Sequence, residues 1–568
     1  MIMTFVFLLR PFRKLYLRCG VFVLLLAAFF LPEEGYSQWS LRAGGAGSET
    51  VTGIGSDGLG NIYLVGTFRD STNLGGAPIT GSGRRPMYLA KLNPDGGHLW
   101  SQGVDGDIAG ARMVVDTLGH IVLAGNFEGE VDFGDGPFSG ENFALFMARY
   151  DTAGALVHAF PAGGENQKMA NGIGLDPMGR VMLVGAFNGT VDFGGGPLGG
   201  SGRTDFFLVK HTPEGDHVWS VTYGGGDSSD HPRAGVVDGD GNMVVAGGFS
   251  SAPGDPVQTN LGGSALQGSG GSAAFVARYD TDGNHRWSAA IDASGRGETA
   301  SALALDASGN VYVAGSFADT LRIGGAAHIS RGDRDVFLVK YDSSGAYQWS
   351  RSGGGPAWDF IGALTTDEEG HVYLAGSFQE TAHFGDDTLT SDDSTDVFVT
   401  RYAADGTHRW SLRYGGPGVD VAHRILFDPS GNLYVAGAFE QTIDLGHGPL
   451  TSAGENDLFL LKIDADRLNL VAIEEQTVPR QAMALSQPYP NPFSKRARFT
   501  LRIARVQRVR LEVYNVLGQR VAVLHDGVLS PHTAHPFNLE AAALPNGLYL
   551  LRALGESHMA SQPIILLK

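Results

Sequence analysis

Five carboxylates recur at one position of a repeating chain. Counting back eleven residues from Gly60, Gly119, Gly179, Gly241, Gly309, Gly370 and Gly431 lands on Glu49, Ile108, Lys168, Asp230, Glu298, Asp359 and Asp420, five of them acidic. Carboxylates gathered in one place attract a cation, for which calcium is the candidate, or raise one another's pKa. The alternative is that each one hydrogen-bonds only the backbone of its own Gly-rich turn. A break in the repeat points to the same region. Gly247 to Phe275 spans 28 residues where the other copies need 21 or 22, and the preceding loop, Asp227 to Arg233, is also longer and carries Asp230, His231 and Arg233. Both insertions are expected on the loop face that holds the acidic positions, although loops tolerate insertions for no functional reason.

The usual catalytic patterns do not hold together. Gly53 to Gly58 spells GxGxxG, but no helix pattern follows it. Two DFG triplets, at Asp132 and Asp192, align with Phe384-Gly385 and Leu445-Gly446 and so are repeat turns. Calcium-loop starts at Asp238 and Asp280 have Phe249 and Ile291 where a bidentate Glu is needed. Neither GxSxG nor HExxH occurs, and no catalytic residue is assigned.

The elements that must position these residues are legible as a repeat. A GxF motif ends seven similar strings, at Gly66, Gly125, Gly185, Gly247, Gly315, Gly376 and Gly437, with spacings 59, 60, 62, 68, 61 and 61. Copy five predicts four strands: one ending near Asp306, then Asn310 to Phe317, then a half-buried strand from Val336 to Tyr341, then an outer strand around Trp349. DxxGN and DxxG supply the hairpin turns. The outer strand carries Trp100, Trp219, Trp287, Trp349 and Trp410, with His158 in copy two. Copy seven stops at Ile463 without its Trp, while an orphan Trp39 stands near the start. The sequence therefore predicts an all-β chain over 38–463, a seven-bladed β-propeller closed by its N-terminal strand.

The unit DxxGNVYVAGSF, DVFLVKYD, GxxxW resembles the bacterial SBBP β-propeller repeat, a likeness that implies architecture and leaves function open. DxxGxxxW is also similar to the tryptophan-docking motif of quinoprotein propellers. Those have eight blades, so the likeness implies shared packing between blades and no shared cofactor.

Residues 1–37 read as an export signal: Arg10, Arg13, Lys14 and Arg18 precede the apolar run Cys19 to Leu31, which is too short to span a bilayer. Cys19 is the single cysteine, so disulfides are excluded from the exported chain. The net charge of -19, from 41 Lys+Arg against 60 Asp+Glu, argues against nucleic acid or an anionic membrane as partner. Residues 464–487 show no period and read as a linker.

Composition changes in residues 488–568. From 485 onward basic residues outnumber acidic ones ten to four, and alternating strands suggest a small Ig-like β-sandwich. Tyr489, Pro490, Asn491, Pro492 and Phe493, then Val513 to Gln519 with Gly518, then Asn546, Gly547, Leu548 and Tyr549 resemble the type A C-terminal sorting domain of the type IX secretion system. The resemblance implies recognition by that translocon and its sortase, and a secreted or cell-surface location. The reading as a whole is a monomeric, non-catalytic binding or adhesion module for a glycan, protein or cation. The alternative is a secreted hydrolase or lyase using the acidic positions.

Overall fold

The computed structural model describes residues 37–568 except 163–167, 201, 227, 253–256, 270, 294–297, 465–482, 487, 504–506, 517–518, 530–534, 542–543 and 556–558. Residues 1–36 of the expected export signal 1–37, Gly518 of the sorting motif and most of the expected linker lie outside the described residues. All regular elements among the described residues are strands. The chain divides into two compact units, residues 1–466 and 467–568.

The first unit contains seven antiparallel sheets in chain order, six of them four-stranded and the fourth extended to six strands where Asp292 and Ala293 pair with Arg322 and Leu321. The fifth shows why the repeat folds as it does. Its strands are Thr299–Leu305, Val311–Phe317, Asp335–Tyr341 and Tyr347–Gly353. Asp306 turns the first hairpin, its Oδ1 accepting from the backbone N–H groups of Ser308 and Asn310 at 3.0 Å each. Such Asx geometry is the reason Asp opens the turn. The first strands pack side by side in a ring, and Asp420–Phe427 of the seventh sheet meets Gly53–Ser56 of the first. This is a seven-bladed β-propeller, with the first strands around a central channel.

The orphan N-terminal segment completes it. Ser37–Ala43 forms the outer strand of the seventh blade, pairing with Pro449–Ile463 so that Trp39 stands opposite Lys462. The same pairing sets Trp349 against Lys340 and Trp410 against Arg401. One expectation needs correction: the third strands are not half-buried. All seven residues of Val311–Phe317 and of Asp335–Tyr341 are buried, because blades stack on both faces of the central strands. Apolar clusters accordingly span neighbouring blades, as where Phe317, Phe337 and Val339 of blade five join Val244 and Val276 of blade four.

The second unit has a three-stranded and a four-stranded sheet around one core that includes Phe499, Leu511, Leu551 and Ile564. Two layers on one core make a β-sandwich. Met483–Leu485, inside the expected linker, instead pairs with the strand Arg496–Ile503, and His535–Glu540 adds a strand that the sequence reading lacked. Asn491 pins the Pro490-Asn491-Pro492 segment to the last strand: its Oδ1 accepts from Ile565 N–H at 2.8 Å. The Tyr549 hydroxyl donates to the Pro545 carbonyl at 2.6 Å, and Gly547 opens its strand.

Candidate functional site

The acidic positions start the inner strands, as the repeat requires, but they do not open onto the channel. Glu49, Asp230, Asp359 and Asp420 are 0% exposed and Glu298 1%. Each lies at a seam between blades, and four of them face a second buried carboxylate from the third strand of the preceding blade: Asp457, Asp205, Asp335 and Asp396 respectively. A glycine lies against both members of a pair. A Cβ on Gly354 would stand 2.6 Å from Asp359 Oδ2 and 2.7 Å from Asp335 Cγ, so no larger residue fits.

The acids that the sequence was expected to gather in one place are instead distributed among buried inter-blade sites, four of them paired. The physical reason lies in the pleat, which turns position eleven sideways into the seam. Backbone N–H groups of the Gly-rich turns hold the acids: Gly45 donates to Glu49, Gly355 to Asp359 and Gly416 to Asp420. Arginines already sit beside two of the partners, Arg42 on Asp457 and Arg413 on Asp396. Burial, with the paired acid adding to it, pushes Glu49 up to about 8 and Asp359 and Asp420 up to about 7. Asp230 rises to about 6 for the same reasons, while burial raises Glu298, which accepts from the Ser272 hydroxyl at 3.0 Å.

Cationic side chains of the third strands do equivalent work at the other end of each blade. Lys210 pairs with Asp176 at 2.8 Å, and Lys340 lies 4.8 Å from the Tyr312 ring centroid. The turn Asp367, Glu369, His371 brings three ligand-type atoms within 4.8 Å of one another. Asp367 there accepts from Tyr373 at 2.9 Å and contacts His371 at 2.8 Å, and Arg401 is beside His371, so the group belongs to the same blade network.

Five of the seven tryptophans are docked in seams, and Trp410 is buried beside Tyr373 of its own blade. Trp39, Trp219, Trp287 and Trp349 each donate Nε1–H to a carbonyl in the next blade's outer turn, Trp349 to Ala404 at 3.0 Å. The turn glycine then packs on the indole: a Cβ on Gly406, at φ +80°, would come within 2.7 Å of Trp349.

Trp358 is different. It is 45% exposed, lies outside the GxxxW register, and sits where an inner strand begins, beside Phe360 at 40%. The two ring centroids are 5.5 Å apart with planes tilted by 49°. Arg334 lies over the indole at 5.8 Å, and Trp358 Nε1 donates to Asp333 Oδ2 at 3.0 Å. Sequence reasoning missed this residue, although its being the one Trp off the repeat was a usable signal.

The channel carries the second departure from the repeat. All seven inner strands line a cavity of about 250 Å³ that includes Arg112, Arg233 and Arg424. Of the residues picked from the sequence, Arg233 reaches this lumen. His231, half-buried on the same strand, has its pKa lowered by burial and by Arg233. Of the lengthened segments in blade four, the longer carries the hairpin Val257–Thr259 paired with Leu266–Gly268, while 227, 253–256 and 270 lie outside the described residues.

Comparison with known proteins supports the architecture and the address. A family model for the β-propeller repeat SBBP matches residues 38–67 and 409–438, and one for the secretion system C-terminal sorting domain matches 487–567. The regulatory protein FlaEY of Caulobacter vibrioides is 34% identical over 128 residues, 22% of this chain and 13% of that protein. An uncharacterized WD repeat-containing protein of Acanthamoeba polyphaga mimivirus is 27% identical over 244 residues, 36% of this chain and 17% of that protein. The chain thus matches less than a fifth of either relative's length. Among solved structures, a PL25 ulvan lyase bound to -[GlcA(1-4)Rha3S]- is 13% identical with a TM-score of 0.39, covering 76% of this chain and 99% of that one. A GH43 protein, BlXynB of Bacillus licheniformis, is 12% identical with a TM-score of 0.24, covering 80% and 86%.

Proposed function

From a chain that carries SBBP propeller repeats and a type IX sorting domain, and is therefore exported to the cell surface or beyond, we propose a non-catalytic binding module whose ligand is a glycan. The observation that carries this reading is Trp358. Five tryptophans dock in seams and Trp410 is buried, whereas Trp358 is held out to solvent beside Phe360, with Arg334 over one face of its ring and Asp333 at its Nε1. An exposed aromatic face flanked by hydrogen-bonding and charged groups suits the apolar face and hydroxyl edge of a sugar ring. The acidic positions support the same reading from the other side. Acid and base catalysis needs carboxyls that reach substrate, and these are sealed between blades.

Affinity electrophoresis of the full chain through gels containing neutral and acidic polysaccharides tests the proposal, together with an assay for new reducing ends and unsaturated products. The expected result is retardation by at least one polysaccharide, lost in Trp358→Ala, with no product formed. Product release that survives Trp358→Ala would overturn the reading in favour of a hydrolase or lyase.

A further inference from the structure

Arg112, Arg233 and Arg424 come from the inner strands of blades two, four and seven, so they stand two, three and two blades apart around the axis. All three line the central cavity, whose lining residues include no Asp or Glu. Among the described residues none of the three forms an ion pair. Arg112 donates its Nε–H to the Asn171 carbonyl at 3.2 Å, and Arg424 donates its Nε–H to the Thr52 carbonyl at 2.8 Å and an Nη–H to the His423 carbonyl at 2.7 Å.

Guanidinium groups elsewhere in this propeller meet carboxylates, as Arg278 does with Asp238 and Arg413 with Asp396. Here no carboxylate lines the cavity, and the arginines act on one another. Burial and Arg112 bring Arg424 down to about 9, and burial and Arg233 lower Arg112. His423, beside them, falls to about 4 through burial and Arg424. Like charges lining one cavity repel unless an anion lies between them, most at the partly buried Arg112 and Arg424 and less at the exposed Arg233.

The other inner strands make room. They contribute Thr52, Asn171, Gly172, Ser301, Ala302, Gly362 and Ala363 to the lining, all uncharged and small or medium in size. Asn171 Oδ1 is buried without a hydrogen-bond partner, and rotating that amide presents two more donors to the same space. The cavity of about 250 Å³ is ample beside the roughly 10–15 Å³ that a single water requires.

We propose that the central channel is an oxyanion site, in which Arg112, Arg233 and Arg424 together bind a sulfate, phosphate or carboxylate group. Planar guanidinium forks match the geometry of such oxygens. This goes beyond the glycan reading at Trp358, since it concerns different residues and a different chemistry. The oxyanion is either a free inorganic ion or the acidic group of a larger ligand.

The test is the thermal midpoint of the full chain in chloride buffer at fixed ionic strength, titrated with sulfate, phosphate, or glucuronate as a sugar carboxylate. Specific binding gives a rise that follows the ligand concentration with an apparent dissociation constant. The general salting effect of sulfate raises every variant alike. We expect a specific rise in the wild type that is absent from Arg233→Gln, and a higher midpoint for Arg233→Gln than for wild type in chloride alone, because one repelling charge is gone. Arg233→Lys keeps the charge and should keep part of the response. A rise with sulfate or phosphate alone identifies a free-ion site; a stronger rise with glucuronate identifies a ligand-group site. Equal responses of wild type and Arg233→Gln to all three anions, or a lower midpoint of Arg233→Gln in chloride with no anion response in either protein, would overturn the proposal. Loss of polysaccharide binding in Trp358→Ala with this anion response intact would separate the two sites.

Discussion

Trp349 and Trp358 lie close in sequence and meet opposite fates. Trp349 obeys the repeat, docks in a seam and bonds the next blade; Trp358 departs from it and faces solvent. The inner strands show the same contrast in charge. Carboxylates at the recurring position are sealed between blades, four of the five in pairs, and arginines at irregular positions a few residues later stand in an open shaft. Residues that recur in every blade answer to packing, which every blade shares. Residues that occur once or a few times are free of that demand, and the account assigns ligand binding to them.

The largest effect that could break this contrast is on stability. Trp349→Ala should cost about 3 kcal/mol, as truncation of a large packed aromatic does, whereas Trp358→Ala should change stability by no more than about 0.5 kcal/mol, as exposed sites do. Chemical denaturation of the two variants checks this, and equal losses would erase the distinction. Gly406→Val comes next, since it combines a left-handed backbone with a clash against Trp349. It should cost about 1 to 3 kcal/mol, and a neutral result would mean that the turn does not carry the docking.

A pH series sharpens the acidic half. Asp335 and Asp359 are raised to about 6 and about 7, above the ordinary carboxyl range, so the native state retains protons that the unfolded chain has released. Their contribution is fully present below about pH 4 and is lost as pH rises through the folded values. The midpoint should fall between about pH 5 and pH 8, and fall less steeply in Asp359→Asn. Calcium should leave it unchanged. A calcium-dependent rise lost in the Asp359→Asn, Asp420→Asn double variant would restore the cation reading. The smallest effect is expected for Tyr312→Phe, which removes the hydroxyl that reaches the Gly370 carbonyl at 2.8 Å and Asp306 at 3.2 Å. A loss of about 1 kcal/mol, the usual net worth of one hydrogen bond, would be seen by denaturation.

The blade plan was readable because its signals are local. GxF, the Asp turns and the outer Trp recur with their strands, and Trp39 announced the closure by being one piece too many. Burial on both faces of Val336 to Tyr341 was not readable, since stacking of blades is a tertiary fact. Nor could spacing tell which way position eleven points, because one residue of register exchanges channel for seam. The channel arginines were obscured for a related reason. The register shifts between Pro232 and Ala234 and between Ala422 and Arg424. Such a bulge lets residues at two successive repeat positions, Arg233 and Arg424, face the same lumen. Trp358 was hidden among residues of its own kind, and only its failure to align set it apart.

The most direct measurement compares two adjacent residues with opposite assignments. Polysaccharide retardation of the full chain is recorded for wild type, Trp358→Ala and Asp359→Asn, all at a pH and temperature where each is folded. The account predicts that Trp358→Ala abolishes retardation while Asp359→Asn leaves it at the wild-type level. Retention in Trp358→Ala with loss in Asp359→Asn would contradict it and return the site to the acidic positions.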